Sequence, residues 1–159
     1  AMRVALLVAE GVDGQVLTAL ADRLTAAGAV PRFVGSRFGP APSVQGNAIE
    51  VDVTVEAMPS VLYDAVVVPD GKDAVGRLSA DGRVLEFLKD QYRHCKPILV
   101  LGGGTDLLAR AGIPRELPAG GPDPGLVIGK PGDGAVTEAF MAALAKHRHF
   151  ERETDPPRV

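Results

Sequence analysis

The residues best placed to do covalent chemistry in this chain would lie in the stretch Pro97 to Leu108, which reads Pro-Ile-Leu-Val-Leu-Gly-Gly-Gly-Thr-Asp-Leu-Leu. The aliphatic run Ile98 to Leu101 suits a strand buried on both faces of a parallel sheet. Gly102, Gly103 and Gly104 permit a sharp turn, and Thr105 or Asp106 can cap a helix that starts with Leu107 and Leu108. Strand, tight turn and helix in that order make a nucleophile elbow, which exposes a reactive Ser or Cys at the bend. Here the bend offers Leu101 and glycines. The shape is present and the nucleophile is missing.

The other chemically capable residues are scattered. Cys95 is the only thiol. It falls between a predicted helix and the strand before the elbow, so it belongs at the opposite edge of the sheet. Its neighbours Arg93, His94 and Lys96 would lower its pKa, whereas a helix C-terminus raises it. His147 and His149 are two residues apart at a helix end, a spacing that puts them on different faces and makes no chelate; a solvated helix end is the expectation. No His, Cys and carboxylate cluster has zinc spacing, so no metal site is expected. The triple glycine invites comparison with phosphate-binding loops. However, a dinucleotide fingerprint needs glycine where Leu107 stands, and a Walker loop needs a Gly-Lys-Ser/Thr step that is absent. What remains is a crevice at the strand ends, with Glu10 and Gly11 after the first strand and Asp70 and Gly71 after the third. Two carboxylates without a nucleophile or metal make a weak case for catalysis, and turn or capping roles are the simpler expectation.

The elements that must position these residues can be read in order. Arg3 to Ala9 is a buried strand, Asp13 the N-cap of a helix to about Ala27, and Gly28 its C-cap. Val30 to Gly35 is a second strand, followed by a Gly/Pro/Ser-rich loop over 36–47 and short alternating segments near Ile49 to Val55 that read as a small hairpin. Ala65 to Val68 is a third strand, Asp81 to His94 a helix, and Pro97 onward the fourth strand and elbow. Ile113 to Gly125 reads as loop, Leu126 to Ile128 as the last strand and Ala135 to Lys146 as the last helix. Residues 1–150 then form one domain, and Glu151 to Val159 a polar tail. Alternating strands and helices of these lengths predict an α/β, flavodoxin-like doubly wound fold. Its mostly parallel five-stranded sheet has the order 2-1-3-4-5 and helices on both faces, with ligands at the carboxyl ends of the strands.

Composition narrows the partners. The chain has 159 residues, 46% hydrophobic and 4% aromatic, with a formal charge of -3. That balance excludes nucleic acid and anionic membrane as main partners. No apolar run reaches the ~20 residues that span a bilayer, and no signal peptide is visible. One cysteine allows no internal disulfide, which fits a reducing cytoplasm. Ala1 ahead of Met2 reads as a remnant of cloning, consistent with a piece excised from a longer polypeptide.

With these residues in view, the first strand, the third strand and Lys96-Pro97 through Leu108 resemble the class I glutamine amidotransferase-like superfamily, particularly its PfpI-type branch. Matching the helix start Thr105 to Leu108 places that family's cysteine at Leu101 and its supporting glutamate near Val16. The likeness therefore brings the fold and not the chemistry. A fuller resemblance is to the C-terminal domain of large-subunit (clade II) haem catalases. It rests on Arg3 to Val8 with Glu10-Gly11-Val12, Ser36 to Gly39, Met58-Pro59-Ser60, Tyr63 to Pro69, His94 to Ile98, and Phe140 to Arg148. The Gly102-Gly103-Gly104 run is richer in glycine than that family leads one to expect.

This resemblance implies a non-catalytic auxiliary domain with no cofactor of its own. Haem and hydrogen peroxide dismutation would belong to a core in the same polypeptide, and the domain's partners would be that core and its homotetramer. A chaperone-like action on unfolded clients is the further implication. The rival readings are a PfpI-type cysteine hydrolase or glyoxalase using Cys95, and a small nucleotide- or flavin-binding module.

Overall fold

The computed structural model describes residues 1–153. Eight strands and five helices follow one another as β1 (Arg3–Val8), α1 (Gly14–Ala26), β2 (Val30–Gly35), β3 (Pro40–Pro42), β4 (Ala48–Glu50), β5 (Val53–Thr54), β6 (Ala65–Val68), α2 (Lys72–Ser79), α3 (Gly82–Arg93), β7 (Ile98–Leu101), α4 (Thr105–Arg110), β8 (Leu126–Gly129) and α5 (Gly134–Ala145). Short 3-10 turns occupy Ser60–Leu62, Gly102–Gly104 and Phe150–Arg152. The main sheet is parallel, in the order β5-β2-β1-β6-β7-β8.

Alternation along the central strands explains why this sheet is covered on both faces. Val4, Leu6, Val8, Ala65, Val67, Leu99 and Leu101 pack with Leu17, Leu20 and Leu24 of α1 and Phe140 and Leu144 of α5. Ala5, Leu7, Val66, Val68, Ile98 and Val100 point the other way, against Leu78 of α2, Val84, Phe87 and Leu88 of α3, and Leu107 and Leu108 of α4. The amphipathic stripes read from sequence therefore fall on the expected faces.

The five long strands keep the expected order, but the sheet has a sixth member. Val53–Thr54 pairs in parallel with Val34 and Gly35 on the outer side of β2. The small hairpin lies earlier than expected: Pro40–Pro42 pairs antiparallel with Ala48–Glu50. Pro40 and Pro42 hide this strand in the sequence because proline supplies no N–H to a ladder. The alternation is visible only afterwards, in Ala41 and Ile49, which are buried between exposed neighbours.

Helix α2 replaces what reads in the sequence as loop. Its eight residues include Gly76 and it has no side-chain cap, yet Ala74, Val75 and Leu78 form a buried stripe. Helix α1 also departs from expectation, because Asp13 sits at the cap position but does not cap it. The Gln45 side chain from the β3–β4 turn does so instead, accepting from Gly14 N–H at 3.1 Å and donating to Asp13 Oδ1 at 2.8 Å. Gly28 ends the helix at φ +87 as anticipated, its N–H reaching Thr25 O at 3.0 Å.

The expected polar tail starts too early at Glu151. Arg152 is 5% exposed, and its guanidinium pairs with the buried Asp123 carboxylate at 2.6 Å. Residues 154–159, the rest of that tail, lie outside the described residues.

Candidate functional site

The site that the fold would offer lies where β1, β6 and β7 end side by side. Strand β7 stays extended through Leu101, which has φ -105 and is 4% exposed. The bend comes one residue later, at Gly102, where φ is +50. This left-handed conformation is the strained position of an elbow, and it costs a residue with a Cβ about 1–2 kcal/mol. The capping expected of Thr105 or Asp106 does not occur. Gly104 holds the cap position of α4 without a side chain, while the Thr105 hydroxyl reaches back to Gly102 O at 3.4 Å.

Asp70 fills the space in front of the bend. Its Oδ1 accepts from Gly103 N–H and from its own neighbour Gly71 N–H, each at 2.8 Å. Its main-chain carbonyl accepts from Asp13 N–H at 3.0 Å. One residue therefore fastens the ends of three adjacent strands. Glycine is required for this arrangement, because a Cβ on Gly102 would lie 2.6 Å from Asp70 Oδ2. Gly104 meets a similar limit against Pro69 O at 2.7 Å. The backbone N–H of Gly103, which an anion would otherwise seek, is thus occupied by a fixed negative charge of the chain itself. Phosphate binding in the cradle is opposed both by the missing donor and by like-charge repulsion.

The remaining crevice candidates serve the close approach of α2. Gly71, at φ +118, would place a Cβ 2.3 Å from Gly11 O, and a Cβ on Gly11 would lie 2.6 Å from that of Asp73. Glu10 turns away to Arg77 at 2.9 Å, both side chains being more than half exposed. Glu10 and Asp70 thus have separate partners.

Val16 and Leu101, the two positions matched by resemblance to a catalytic pair, do share a wall. They line one groove of about 400 Å³ between α1 and α5, together with Leu20, Leu99 and the charged residues Arg23, Lys130 and Asp133. Valine and leucine at these two positions can pack and cannot transfer a proton.

Cys95 lies at the other edge of the sheet, as expected, and beside a cavity of about 600 Å³ that Tyr92, Ile113, Leu117 and Glu153 also line. Burial raises its thiol pKa, and the Glu153 carboxylate pushes the same way against the weaker pull of Arg152 and Arg148. A thiol held protonated is a poor nucleophile. His149 is not the solvated residue expected. It is 1% exposed, with its Nε2 2.9 Å from Ala143 O and its N–H on Cys95 O at 2.7 Å. His147 is exposed as anticipated. Among the described residues, no group of three His, Cys, Asp or Glu side chains is arranged to hold a metal.

Sequence reasoning missed two polar centres altogether. Lys96 is 3% exposed and donates to the carbonyls of Val61, at 3.4 Å, and Tyr63. Burial, with a further push from Arg148, lowers its pKa. Arg152 donates to Asp123 and to Lys96 O, each at 2.6 Å, and lies over the Tyr92 ring at 4.9 Å. A lysine before a strand and an arginine near a chain end carry no local signal of burial.

A doubly wound parallel sheet with a strand–bend–helix elbow after its fourth long strand is the architecture of DJ-1/PfpI-like proteins. A DJ-1 superfamily protein from Salmonella typhimurium, solved with a cysteine replaced by alanine, superposes with a TM-score of 0.78 at 20% identity, covering 92% of this chain and 90% of that one. Schizosaccharomyces pombe DJ-1 gives 0.75 at 18% identity, covering 91% of each. These likenesses establish the fold. Sequence is more specific: residues 1–154 match the family described as the C-terminal domain found in long catalases, and the chain belongs to that family. Catalase HPII of Mycobacterium avium is 37% identical over 161 residues, covering 96% of this chain and 23% of that protein. Catalase HPII of Pseudomonas putida is 32% identical over 151 residues, covering 95% and 20%. The chain therefore spans about a fifth of the length of these relatives.

Proposed function

We propose that this chain is a non-catalytic auxiliary domain of a long catalase polypeptide. Dismutation of hydrogen peroxide takes place at haem in the preceding core, and this domain supports the stability and assembly of the subunit. The observation that carries the reading is the bend itself, where Gly102 holds the strained position and Asp70 fills the space that a nucleophile and substrate would need. In this reading the elbow, Leu101 to Gly104, is a vestige whose chemistry has been replaced by a structural lock. Its partners are the core of the same polypeptide and the homotetramer built on it, in the cytoplasm. No helix among the described residues is long and apolar enough to cross a membrane.

The test compares the isolated chain with the longer polypeptide. The long form should show a haem Soret band and rapid peroxide turnover, and the isolated chain should show neither when haem is added. Turnover by the isolated chain would overturn the assignment, as would a reading frame that encodes no haem core upstream. A chaperone-like role, the extension implied by the family resemblance, should appear as suppressed aggregation of a heated client. Absence of that effect at several-fold molar excess removes the extension and leaves the auxiliary role standing.

A further inference from the structure

The edge of the sheet opposite the elbow presents apolar side chains on a turn that is held with unusual care. In the 3-10 turn Ser60–Leu62, Val61 is 68% exposed and Leu62 42% exposed. Buried polar groups clamp that turn from behind. Gln91 Nε2 donates to Ser60 Oγ at 2.7 Å and to Ser60 O at 2.9 Å, while Lys96 Nζ reaches the carbonyls of Val61 and Tyr63. Lys96 links this turn to the next one along the edge, because its own carbonyl accepts from Arg152, whose 3-10 turn exposes Phe150 at 61%. Burying a lysine and a glutamine to fix a turn whose outward residues are Val and Leu is costly if water is the only neighbour. It is useful if the turn must meet another surface without losing conformational freedom at that moment.

The start of β1 lies beside this turn. Arg3 N–H donates to Asp64 Oδ2 at 2.8 Å and Arg3 O accepts from Asp64 N–H at 2.8 Å, so the first strand begins two residues from Leu62. In a C-terminal domain, the rest of the polypeptide joins at that end. A tethered neighbour delivered to this edge has a high effective concentration and needs little intrinsic affinity.

Building on the reading of the chain as the C-terminal part of a longer catalase, we propose that Val61, Leu62 and Phe150 form the apolar centre of its docking surface, and that the occupant is the upstream region of the same polypeptide. Val44, 63% exposed but on the turn between β3 and β4 at the elbow edge, lies outside this surface and serves as the control.

The experiment introduces Val61→Cys and, separately, Val44→Cys into the full-length polypeptide and follows labelling by a water-soluble thiol reagent. Within this chain the native thiol, Cys95, is 1% exposed and labels slowly, and the unsubstituted polypeptide supplies the background to subtract. The Val61→Cys thiol should label at least about tenfold more slowly than the Val44→Cys thiol, the ratio set by a docking free energy of about 1.4 kcal/mol. Phe150→Cys should be protected in the same way. Equal labelling in a protein that retains its Soret band overturns the surface and leaves the auxiliary reading intact. A polypeptide without a Soret band removes the reading beneath it. Protection that disappears on dilution overturns the choice of occupant in favour of a second copy.

Discussion

Replacing Gly102 with alanine tests the lock between the elbow and Asp70, and its size follows from the geometry. The φ of +50 costs a residue with a Cβ about 1–2 kcal/mol. The new Cβ would also stand 2.6 Å from Asp70 Oδ2 and 2.7 Å from Asp70 Cγ, so the carboxylate must move. Moving it breaks the bonds to Gly71 N–H and Gly103 N–H, which as hydrogen bonds to a charged group contribute about 1.5–3 kcal/mol together once water replaces part of them. Gly102→Ala should therefore destabilise the chain by about 2.5–5 kcal/mol, and Asp70→Ala by about 1.5–3 kcal/mol. In the double variant the clash is gone and only strain is added to the lost bonds, so it should be about as stable as Gly102→Ala alone. Urea denaturation of the four proteins at neutral pH gives the cycle directly. If the two losses simply add, to within about 0.5 kcal/mol, the residues are independent and the lock does not exist.

Three further predictions concern the opposite edge. Arg152→Leu leaves the Asp123 carboxylate buried without its partner and should cost about 3–5 kcal/mol in the same urea experiment, with much of the loss recovered in Arg152→Leu/Asp123→Leu; a loss below about 1 kcal/mol would show that the tail turn is dispensable. The Tyr63 hydroxyl is buried with no hydrogen-bond partner among the described residues, so Tyr63→Phe should be neutral or stabilising by about 1 kcal/mol. Burial also raises the Tyr63 pKa, more than Arg32 and Arg3 lower it. Tyrosine thus ionises more readily in the unfolded chain, and its contribution is intact below about pH 10 and lost above it. The advantage of Tyr63→Phe should accordingly widen above pH 10, and a constant gap would contradict the assigned burial. Finally, Cys95 in the folded chain should react with thiol reagents at least about tenfold more slowly than in the urea-unfolded chain, since it is 1% exposed and held protonated, and equal rates would contradict its burial.

The legible parts of this fold were those written in local periodicity. The aliphatic runs of β1, β6 and β7 and the stripes of α1, α3 and α5 carry their burial in their own spacing, and right-handed crossovers then leave little choice of sheet order. The illegible parts depend on distant partners. Nothing near Asp13 indicates that Gln45, 32 residues away, takes over its capping role. Pro40 and Pro42 read as loop because their pairing is made on the strength of Ala41 and Ile49. Arg152 looked like tail because its carboxylate partner, Asp123, sits in a Pro/Gly-rich loop that itself carries no periodic signal. At the elbow the missing nucleophile was plain from residue types alone. The occupation of its place by Asp70 was not, since a Pro-Asp-Gly turn is ordinary until its carboxylate is found 33 residues away on Gly103 N–H.

That occupation also accounts for the glycine-rich bend. An elbow with a reactive side chain needs a Cβ in the left-handed region and open space before it, and both features hold stability below what the fold can reach. Glycine at position 102 relieves the strain, yet glycine alone would leave Gly103 N–H facing an empty crevice. An aspartate alone could not enter, because a Cβ at position 102 would stand 2.6 Å from its oxygen. Gly102 and Asp70 are favourable only together, and together they fasten β1, β6 and β7 at the edge where a catalyst would have to leave them open. The bend is thus a closure of the sheet, and placing any side chain at position 102 would require removing Asp70 first.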